Sequence, residues 1–470
     1  MPATLIRRTW SHAAMLLALL VSFVPQVATA QSTPAPPGGT LSSVPQKKEF
    51  GAKELVGDAV SFSNRDYPNV DKAIQRFRNG DIQGAREFLE IARSETKRLP
   101  PVDLILAKMQ IAARNVKAAM ISLERVVTEE PSDPEAYLIM ANQAFGQGRT
   151  TEASALFEYA APIVEGFTSN NKRRSRFDVQ LLAGRSAVLE RREKWDQALE
   201  LLLKWKEIDP DNAAALQRLA VTYFRLGKAK ESFNHFKMAR EISDRAPYPY
   251  VALGNLFTQD GDIEKARKAY ERAYEETGGE RSTSQAYAGW LIQQRELDKA
   301  NEIATALLAQ DESAVEALLL SGLIAQMRGD SERAEELLNK VLAVSPGNES
   351  ATNWLALLLA ARDDTTSQQK ALRHAQLNAR GYPNNAQANI TLAWVLFKLG
   401  RTQESRAALQ KGAQSGSLTP DSSYFVARML AEQNSKPNAR QILEQVVGKT
   451  ANLFVYREQA EKLLEELKSE

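Results

Sequence analysis

The 470-residue sequence contains no cysteine and only three histidines. The absence of cysteine excludes disulfide bonds, thiolate metal sites and cysteine nucleophiles. It also excludes the acylated cysteine that anchors a bacterial lipoprotein. Thiol chemistry of every kind is therefore ruled out for this chain.

Histidine chemistry is equally poorly supported. His235 and His374, the two histidines that follow Gln31, lie in distant parts of the sequence. A metal site or a serine–histidine pair needs clustered partners. A phosphate-binding glycine loop is also missing, because residues 37–39 are not followed by a lysine and a helix start. We predict that the chain is not an enzyme and binds neither a metal nor a cofactor, against the alternative of an enzyme whose residues carry no recognisable signal.

Beyond residue 24, no apolar run approaches the length of a membrane span. The run from Ala13 to Val24 follows Arg7 and Arg8 and is itself followed by small residues at 28–30. This pattern predicts a signal peptide over residues 1–30, cleaved before Gln31. The alternative is an uncleaved anchor, but the run is shorter than the ~20 residues that a spanning helix needs.

Excess charge of either sign is absent as well. The formal net charge of +2 becomes 0 when the two arginines of residues 1–30 are removed. A neutral chain with mixed charge has no general attraction to nucleic acid or anionic membranes. Residues 31–48, rich in proline and glycine, are predicted to form an extended, mobile linker. We therefore expect no nucleic acid partner, and no membrane span after cleavage.

The strongest positive signal is a fixed period. Gly227, Gly261, Arg295 and Gly329 are equally spaced, and a second series of small residues, the alanines at 266, 300 and 334, has the same spacing. The interval is about 34 residues, a period typical of stacked helical hairpins. The glycines mark the turns, where a left-handed conformation is needed, and the alanines allow two helices to approach closely.

Similar units are found along most of the chain. Pro131, Pro210, Pro346 and Pro383 are predicted to end second helices. Two segments depart from the pattern. An insertion rich in basic residues lies at 161–178, and the turn at 363–369 is longer and lacks its glycine. We expect these segments to divide the array into blocks.

The order of a large residue, leucine, a small residue and an aromatic, followed by glycine, alanine, an aromatic, alanine and proline, resembles the tetratricopeptide repeat. This resemblance implies an all-α fold, a right-handed α–α superhelix of about ten or eleven hairpins with a C-terminal capping helix. The predicted organisation is a possible N-terminal cap at 49–67, repeat blocks at 68–160, 179–362 and 363–447 around the insertion at 161–178, and a capping helix at 448–470.

In tetratricopeptide arrays the first helices line a concave groove, so the resemblance implies that their inward-facing residues bind a partner. Such a groove suits an extended peptide or an amphipathic helix. The alternative for each residue is packing against the neighbouring repeat. The predicted groove residues are Leu138, Asn142, Phe145, Gln217, Val221, Phe224, Tyr248, Val251, Asn255, Gln285, Ile292, Leu319, Leu323, Ile390, Trp394 and Phe397.

The insertion contains the single concentrated basic segment, formed by Lys172, Arg173, Arg174 and Arg176. Two interpretations stay open. The segment is either a mobile solvated loop or a patch that meets an acidic partner or an anionic glycan.

These patterns predict an exported, non-catalytic scaffold that binds a protein or peptide. By analogy with periplasmic arrays, its setting is envelope complex assembly or polysaccharide export, in the periplasm or, alternatively, outside the cell. The second hypothesis is a glycan-binding module that stacks sugars on Tyr248, Phe224 and Trp394. Retention on a polysaccharide resin would favour that module.

Overall fold

A computed structural model describes residues 51–57, 66–448 and 453–469 of the chain. In these ranges all regular structure is helical, with 24 α-helices and no strand. The all-α prediction is therefore confirmed. The predicted signal peptide at 1–30 and linker at 31–48 lie outside the described residues.

The described chain divides into two compact units, an N-terminal unit that ends at residue 249 and a C-terminal unit that begins at residue 250. Each unit is a row of helical hairpins in which consecutive helices pack against each other.

From residue 68 onward, the helices of the N-terminal unit follow one another with short connections. The helices of this unit are α1 (Ala52–Val56), α2 (Pro68–Arg78), α3 (Ile82–Glu95), α4 (Val102–Ala112), α5 (Val116–Glu129), α6 (Glu135–Gly146), α7 (Thr150–Gly166), α8 (Asn171–Arg191), α9 (Trp195–Ile208), α10 (Ala213–Arg225) and α11 (Ala229–Ile242).

The C-terminal unit continues the pattern and ends in an unpaired helix. Its helices are α12 (Pro249–Gln259), α13 (Ile263–Glu276), α14 (Arg281–Gln293), α15 (Leu297–Gln310), α16 (Val315–Met327), α17 (Ser331–Val344), α18 (Glu349–Ala360), α19 (Thr365–Gly381), α20 (Ala386–Lys398), α21 (Thr402–Gln414), α22 (Pro420–Glu432), α23 (Lys436–Val447) and α24 (Arg457–Ser469).

Helices α2 to α23 form eleven hairpins in the described residues, in agreement with the predicted ten or eleven. Even-numbered helices are the first helices of hairpins, and odd-numbered helices are the second. Several first helices also contact the first helix of the next hairpin, for example α18 with α20 and α20 with α22. Those first helices are therefore covered on two sides, which limits the surface that they can present to a partner.

The hairpin turns explain the period of the sequence. Gly227, Gly261 and Gly329 have φ angles of 75°, 77° and 80°. Arg295 occupies the same position with φ 64°, although this conformation costs a non-glycine residue roughly 1–2 kcal/mol. The shared geometry of the turn, rather than the glycine itself, is what recurs from one repeat to the next.

The second periodic series in the sequence consists of alanines that are fully buried, as the predicted close approach of two helices requires. Ala266, Ala300 and Ala334 have no exposed surface. Each is on a second helix, where a larger side chain would separate the helix from its partner.

The structure corrects the prediction for the two irregular segments. Residues 161–178 are not a loop, because α7 continues through Pro162 to Gly166 and α8 begins at Asn171. The turn predicted at 363–369 is confined to residues 361–364, since α19 starts at Thr365. Most residues of both segments are helical, and the division between the compact units occurs instead at residues 249 and 250.

The chain ends in the predicted amphipathic helix. In α24, Ala460 and Leu464 are buried, while the acids Glu458, Glu461, Glu465 and Glu466 are exposed. The helix packs against α23 and α22. It covers the apolar end of the last hairpin, as an array needs for solubility.

Candidate functional site

Half of the sixteen predicted groove residues are buried within the protein. All eight are at most 9% exposed, because neighbouring helices cover them. They therefore contribute to the core and are not available to a partner in this conformation. These buried residues are Leu138, Phe145, Phe224, Val251, Ile292, Leu323, Ile390 and Trp394.

The other eight retain solvent-accessible surface. Four belong to the N-terminal unit, namely Asn142, Gln217, Val221 and Tyr248. The C-terminal unit contributes Asn255, Gln285, Leu319 and Phe397. This set combines amides with apolar and aromatic side chains, a composition that provides both contact area and hydrogen bonds.

The buried rings bear on the hypothesis of sugar stacking. Of the three proposed platforms, Phe224 is 8% exposed and Trp394 is 3% exposed, while Tyr248 is half-buried with the guanidinium of Arg240 5.6 Å from its ring centroid. A stacking platform must present an open face to the sugar. Phe224 and Trp394 do not present one in this structure.

Trp394 belongs to an aromatic cluster of the C-terminal unit. The cluster consists of Trp354 on α18, Trp394 and Phe397 on α20, Tyr424 and Phe425 on α22, and Tyr456 just before α24. It therefore joins the first helices of three successive hairpins.

A carboxylate lies beside this cluster. Asp421, in the first turn of α22, is 4% exposed, and its carboxylate accepts hydrogen bonds from the backbone N–H of Tyr456 at 2.9 Å and of Val455 at 3.4 Å. Burial raises the pKa of Asp421 to about 7, despite the opposing effect of these hydrogen bonds.

The predicted basic patch has a largely internal role. Arg173 is 2% exposed, and its guanidinium pairs with Asp133 at 2.7 Å and with Glu135 at 2.8 Å. Arg176 pairs with the same Glu135 at 3.0 Å, and Lys108 also contacts it. Three cations therefore converge on Glu135, where α8 lies against an earlier hairpin.

The other two basic residues of the patch, Arg174 and Lys172, differ in their contacts. Arg174 pairs with Asp178 at 3.0 Å in the same helix, and Lys172 is exposed. Of the four basic residues, Lys172 alone is mainly in contact with solvent.

The electrostatics of this cluster are those of a satisfied buried network. Burial alone would raise the pKa of Glu135, but Lys108, Arg173 and Arg176 outweigh it and hold the pKa at about 2. Burial lowers the pKa of Lys108 and raises that of Asp133. Such networks are costly to break, because removal of one partner leaves the others buried and unpaired.

Sequence reasoning missed a second buried ion pair in the N-terminal unit. Arg218 on α10 is 1% exposed and pairs with Glu190 at 3.0 Å. Its guanidinium also donates to the carbonyl of Ala183 at 2.9 Å and to the hydroxyl of Ser186 at 2.8 Å. The signal in the sequence was an arginine within the largely apolar first helix Ala213–Arg225.

The histidines do not assemble a site. His235, on α11, and His374, on α19, are both partly buried, and burial lowers the pKa of each. In the described ranges no cluster of three or more histidine, aspartate or glutamate side chains could hold a metal ion. None of the helices in that part of the chain combines the length and apolar composition that a membrane crossing needs.

Comparisons with known proteins identify the repeats. Models of the tetratricopeptide repeat match residues 248–277, 291–349 and 390–453. Each matched range lies in the C-terminal unit or begins at its edge, and together they cover several of the hairpins described above.

Two curated relatives match parts of the chain. The Cellulose synthase operon protein C of Salmonella typhimurium is 28% identical over 197 residues, or 39% of this chain. An inactive TPR repeat-containing thioredoxin of Arabidopsis thaliana is 31% identical over 120 residues, or 26% of this chain. The match covers 16% of the length of each relative.

Solved structures of other proteins also resemble this chain. A tetratricopeptide repeat protein of Parabacteroides merdae is 19% identical, with 55% of this chain and 98% of that chain covered and a TM-score of 0.40. Yeast Tom70 is 14% identical, with 86% of this chain and 95% of that chain covered and a TM-score of 0.37.

Proposed function

Because this chain belongs to the tetratricopeptide-repeat family, we propose that it is a non-catalytic scaffold, exported to the bacterial periplasm, that binds protein or peptide partners through its first helices. One observation carries the proposal. Partly exposed amide and apolar side chains recur on first helices in both units, at positions such as Gln217, Val221, Gln285 and Leu319.

The chemistry of these positions suits an extended peptide. Apolar side chains such as Val221 and Leu319 supply contact area, whereas Gln217 and Gln285 can donate and accept hydrogen bonds. Regularly spaced first helices present this combination repeatedly, so one peptide can engage several hairpins. Each single contact is weak, and affinity comes from their sum.

The proposed setting is the cell envelope, in complex assembly or polysaccharide export. The apolar run at 13–24 and the small residues before Gln31 support export. The name of one relative, Cellulose synthase operon protein C, is compatible with a polysaccharide system. Localisation can be tested by fractionation and N-terminal sequencing. A periplasmic chain that begins at Gln31 is expected, and a cytoplasmic chain that retains residues 1–30 would contradict the proposal.

The binding role can be tested with two variants of equal charge. Gln217→Lys with Val221→Lys adds two charges to α10, a first helix. Ala229→Lys with Asn234→Lys adds two charges to exposed positions of α11, the second helix of the same hairpin. Each chain is purified from an envelope fraction with its bound proteins, which are quantified by mass spectrometry.

We expect the α10 variant to lose the partners that the unaltered chain retains, because two desolvated charges oppose docking. The α11 variant should retain them. Equal retention by both variants would refute binding through first helices. Retention of the chain on a polysaccharide resin, with no protein partner, would favour the glycan-binding alternative.

A further inference from the structure

A short non-helical segment of the chain lies on its own first helices. Residues 453–456 precede α24, and within them Phe454 and Val455 are 3% and 5% exposed. The segment contacts two first helices of the C-terminal unit, α18 and α22. It therefore occupies the kind of surface on which a partner peptide would dock.

The side chain of Tyr456 makes the central contact. Its ring centroid is 4.9 Å from that of Phe425, with the planes at 71°, and 5.8 Å from that of Tyr424, with the planes at 14°. It also stacks on Trp354 of α18, at 6.2 Å and 26°. One tyrosine thus bridges hairpins that are separated by the hairpin of α20.

The backbone of the segment is held by Asp421. This buried carboxylate accepts the N–H groups of two consecutive residues, Val455 and Tyr456. Bonds to backbone amides are independent of the side-chain sequence. Val455 and Tyr456 are in a turn, so the same carboxylate can receive any peptide that adopts this turn and presents two consecutive amides to it.

An acidic side chain completes the contact. Glu458 pairs with Arg295, which is at the turn between α14 and α15, two hairpins before α18. Arg295 adopts the left-handed conformation at a position where the neighbouring repeats have glycine. Both side chains of the pair retain contact with solvent, so it contributes orientation more than affinity.

From these contacts we infer that residues 454–458 are an internal ligand, which occupies a peptide site of the C-terminal unit and is displaced by a partner peptide with an aromatic residue followed two positions later by an acidic residue. This inference rests on the proposed function and specifies the site and its ligand. The aromatic side chain fills the place of Tyr456 between Trp354 and Phe425. The acidic side chain takes the place of Glu458 at Arg295.

The covalent connection has a measurable consequence. A tethered segment competes at a high effective concentration, so a free peptide binds only the fraction of molecules in which the segment has left. Weakening the tethered segment should therefore tighten the binding of a free peptide, although the site itself is unchanged. If the segment only closed the end of the array, weakening it would not tighten the binding of a free peptide.

The test uses a fluorescein-labelled peptide with the sequence of residues 453–461 and the full chain. Peptide binding to the unaltered chain, to Tyr456→Ala and to an exposed control on α24, Glu465→Gln, is measured by fluorescence polarisation. We expect Tyr456→Ala to bind the peptide at least about tenfold more tightly than the other two. A peptide in which alanine replaces the tyrosine should bind to none of them. Equal affinity of all three chains, or no binding to a folded Tyr456→Ala chain, would overturn the inference.

A second experiment is independent of the stability of that variant. Because the sequence has no cysteine, Arg295→Cys with Glu458→Cys introduces two unique thiols that a short bismaleimide can join. Because Arg295 is itself part of the site, the comparison is made within this variant: the cross-linked chain should bind the peptide more weakly than the same variant without cross-linker, whose affinity is the reference. Undiminished binding after complete cross-linking would contradict displacement.

The two proposals fail separately. If the segment cannot be displaced, but the α10 variant still loses its envelope partners, then the inference of an internal ligand is wrong and the proposed scaffold role stands. If neither α10 nor α11 charges affect partner binding, but the peptide binds Tyr456→Ala, then the partners use another surface and the internal ligand stands.

Discussion

A Cβ atom on Gly254 of α12 would lie 2.8 Å from Cε2 of the Tyr270 ring on α13. The two helices of this hairpin approach so closely that residue 254 has no room for a side chain. The hydroxyl of Tyr270 in turn donates to the amide oxygen of Asn255 at 2.6 Å, so the ring is held in place.

This contact predicts that Gly254→Ala destabilises the C-terminal unit by about 1–3 kcal/mol, because the ring and the helices must move apart. Gly289→Ala is the matched control. It is also inside a first helix, but no atom lies within 4 Å of its added Cβ, so it should stabilise the helix by about 0.4–1 kcal/mol. Urea denaturation of both variants measures the difference, and equal effects would show that the close approach is absent.

The cluster around Glu135 predicts a large effect from the loss of one charge. Glu135→Gln leaves Lys108, Arg173 and Arg176 with Asp133 as the remaining acid of the cluster. We expect a loss of roughly 3–5 kcal/mol in the free energy of unfolding.

The control for this prediction is Glu152→Gln in the same unit. Glu152 pairs with Arg149, and the two side chains are 46% and 44% exposed. Its loss should cost less than about 1 kcal/mol. Similar costs for Glu135→Gln and Glu152→Gln would mean that the cluster around Glu135 is solvated.

Asp421 predicts a specific dependence of stability on pH. Its pKa rises from an ordinary 3.8 to about 7 on folding. Well below pH 4 the carboxyl is protonated in both the folded and the unfolded chain and costs nothing. Between pH 4 and 7 the unfolded chain releases the proton first, so stability falls by up to about 4 kcal/mol and then levels off.

The variant Asp421→Asn removes the titrating carboxyl and leaves the neighbouring titratable groups Tyr424, Arg428 and Tyr456 in place. It therefore isolates the contribution of Asp421. As the pH rises from 4 to 8, the free energy of unfolding of the variant should increase relative to that of the unaltered chain, because only the unaltered chain loses stability through Asp421. The same substitution at the exposed Asp363 should give a constant difference. A constant difference for Asp421→Asn as well would contradict the raised pKa.

The hairpin turns predict a reciprocal pair of substitutions. Gly227 has φ 75° with open space around it, and Glu193 occupies the corresponding turn of the preceding hairpin with φ 57°. Gly227→Glu should destabilise the N-terminal unit by about 1–2 kcal/mol. Glu193→Gly should stabilise it by about 0.5–1 kcal/mol. Changes of the same sign in the two melting temperatures would show that backbone strain does not govern these turns.

The repeat was predictable because it is encoded locally. A turn needs one left-handed residue, and a helix crossing needs one small residue, so Gly261 and Ala266 show their roles by spacing alone. The same reasoning located the prolines that end second helices. Each of these requirements involves only one hairpin.

The fate of charged and groove residues was not predictable, because it depends on other hairpins. The sequence predicted that Arg173 lies in a mobile solvated loop or in a patch for an acidic partner, yet its partners Asp133 and Glu135 come from an earlier hairpin. Trp394 was read as a groove residue, yet Phe425 and Arg428 of the next hairpin cover it. The sequence period specifies which residues pack within one hairpin. It does not specify which side chains the next hairpin covers.

Site-specific photo-crosslinking in cells tests the binding surface most directly. A photoreactive residue is placed at Gln217 or Gln285 on first helices, or at the exposed Asn234 on a second helix. The account predicts discrete crosslinks to envelope proteins from positions 217 and 285 and few from position 234. Crosslinks that arise mainly from position 234 would contradict it.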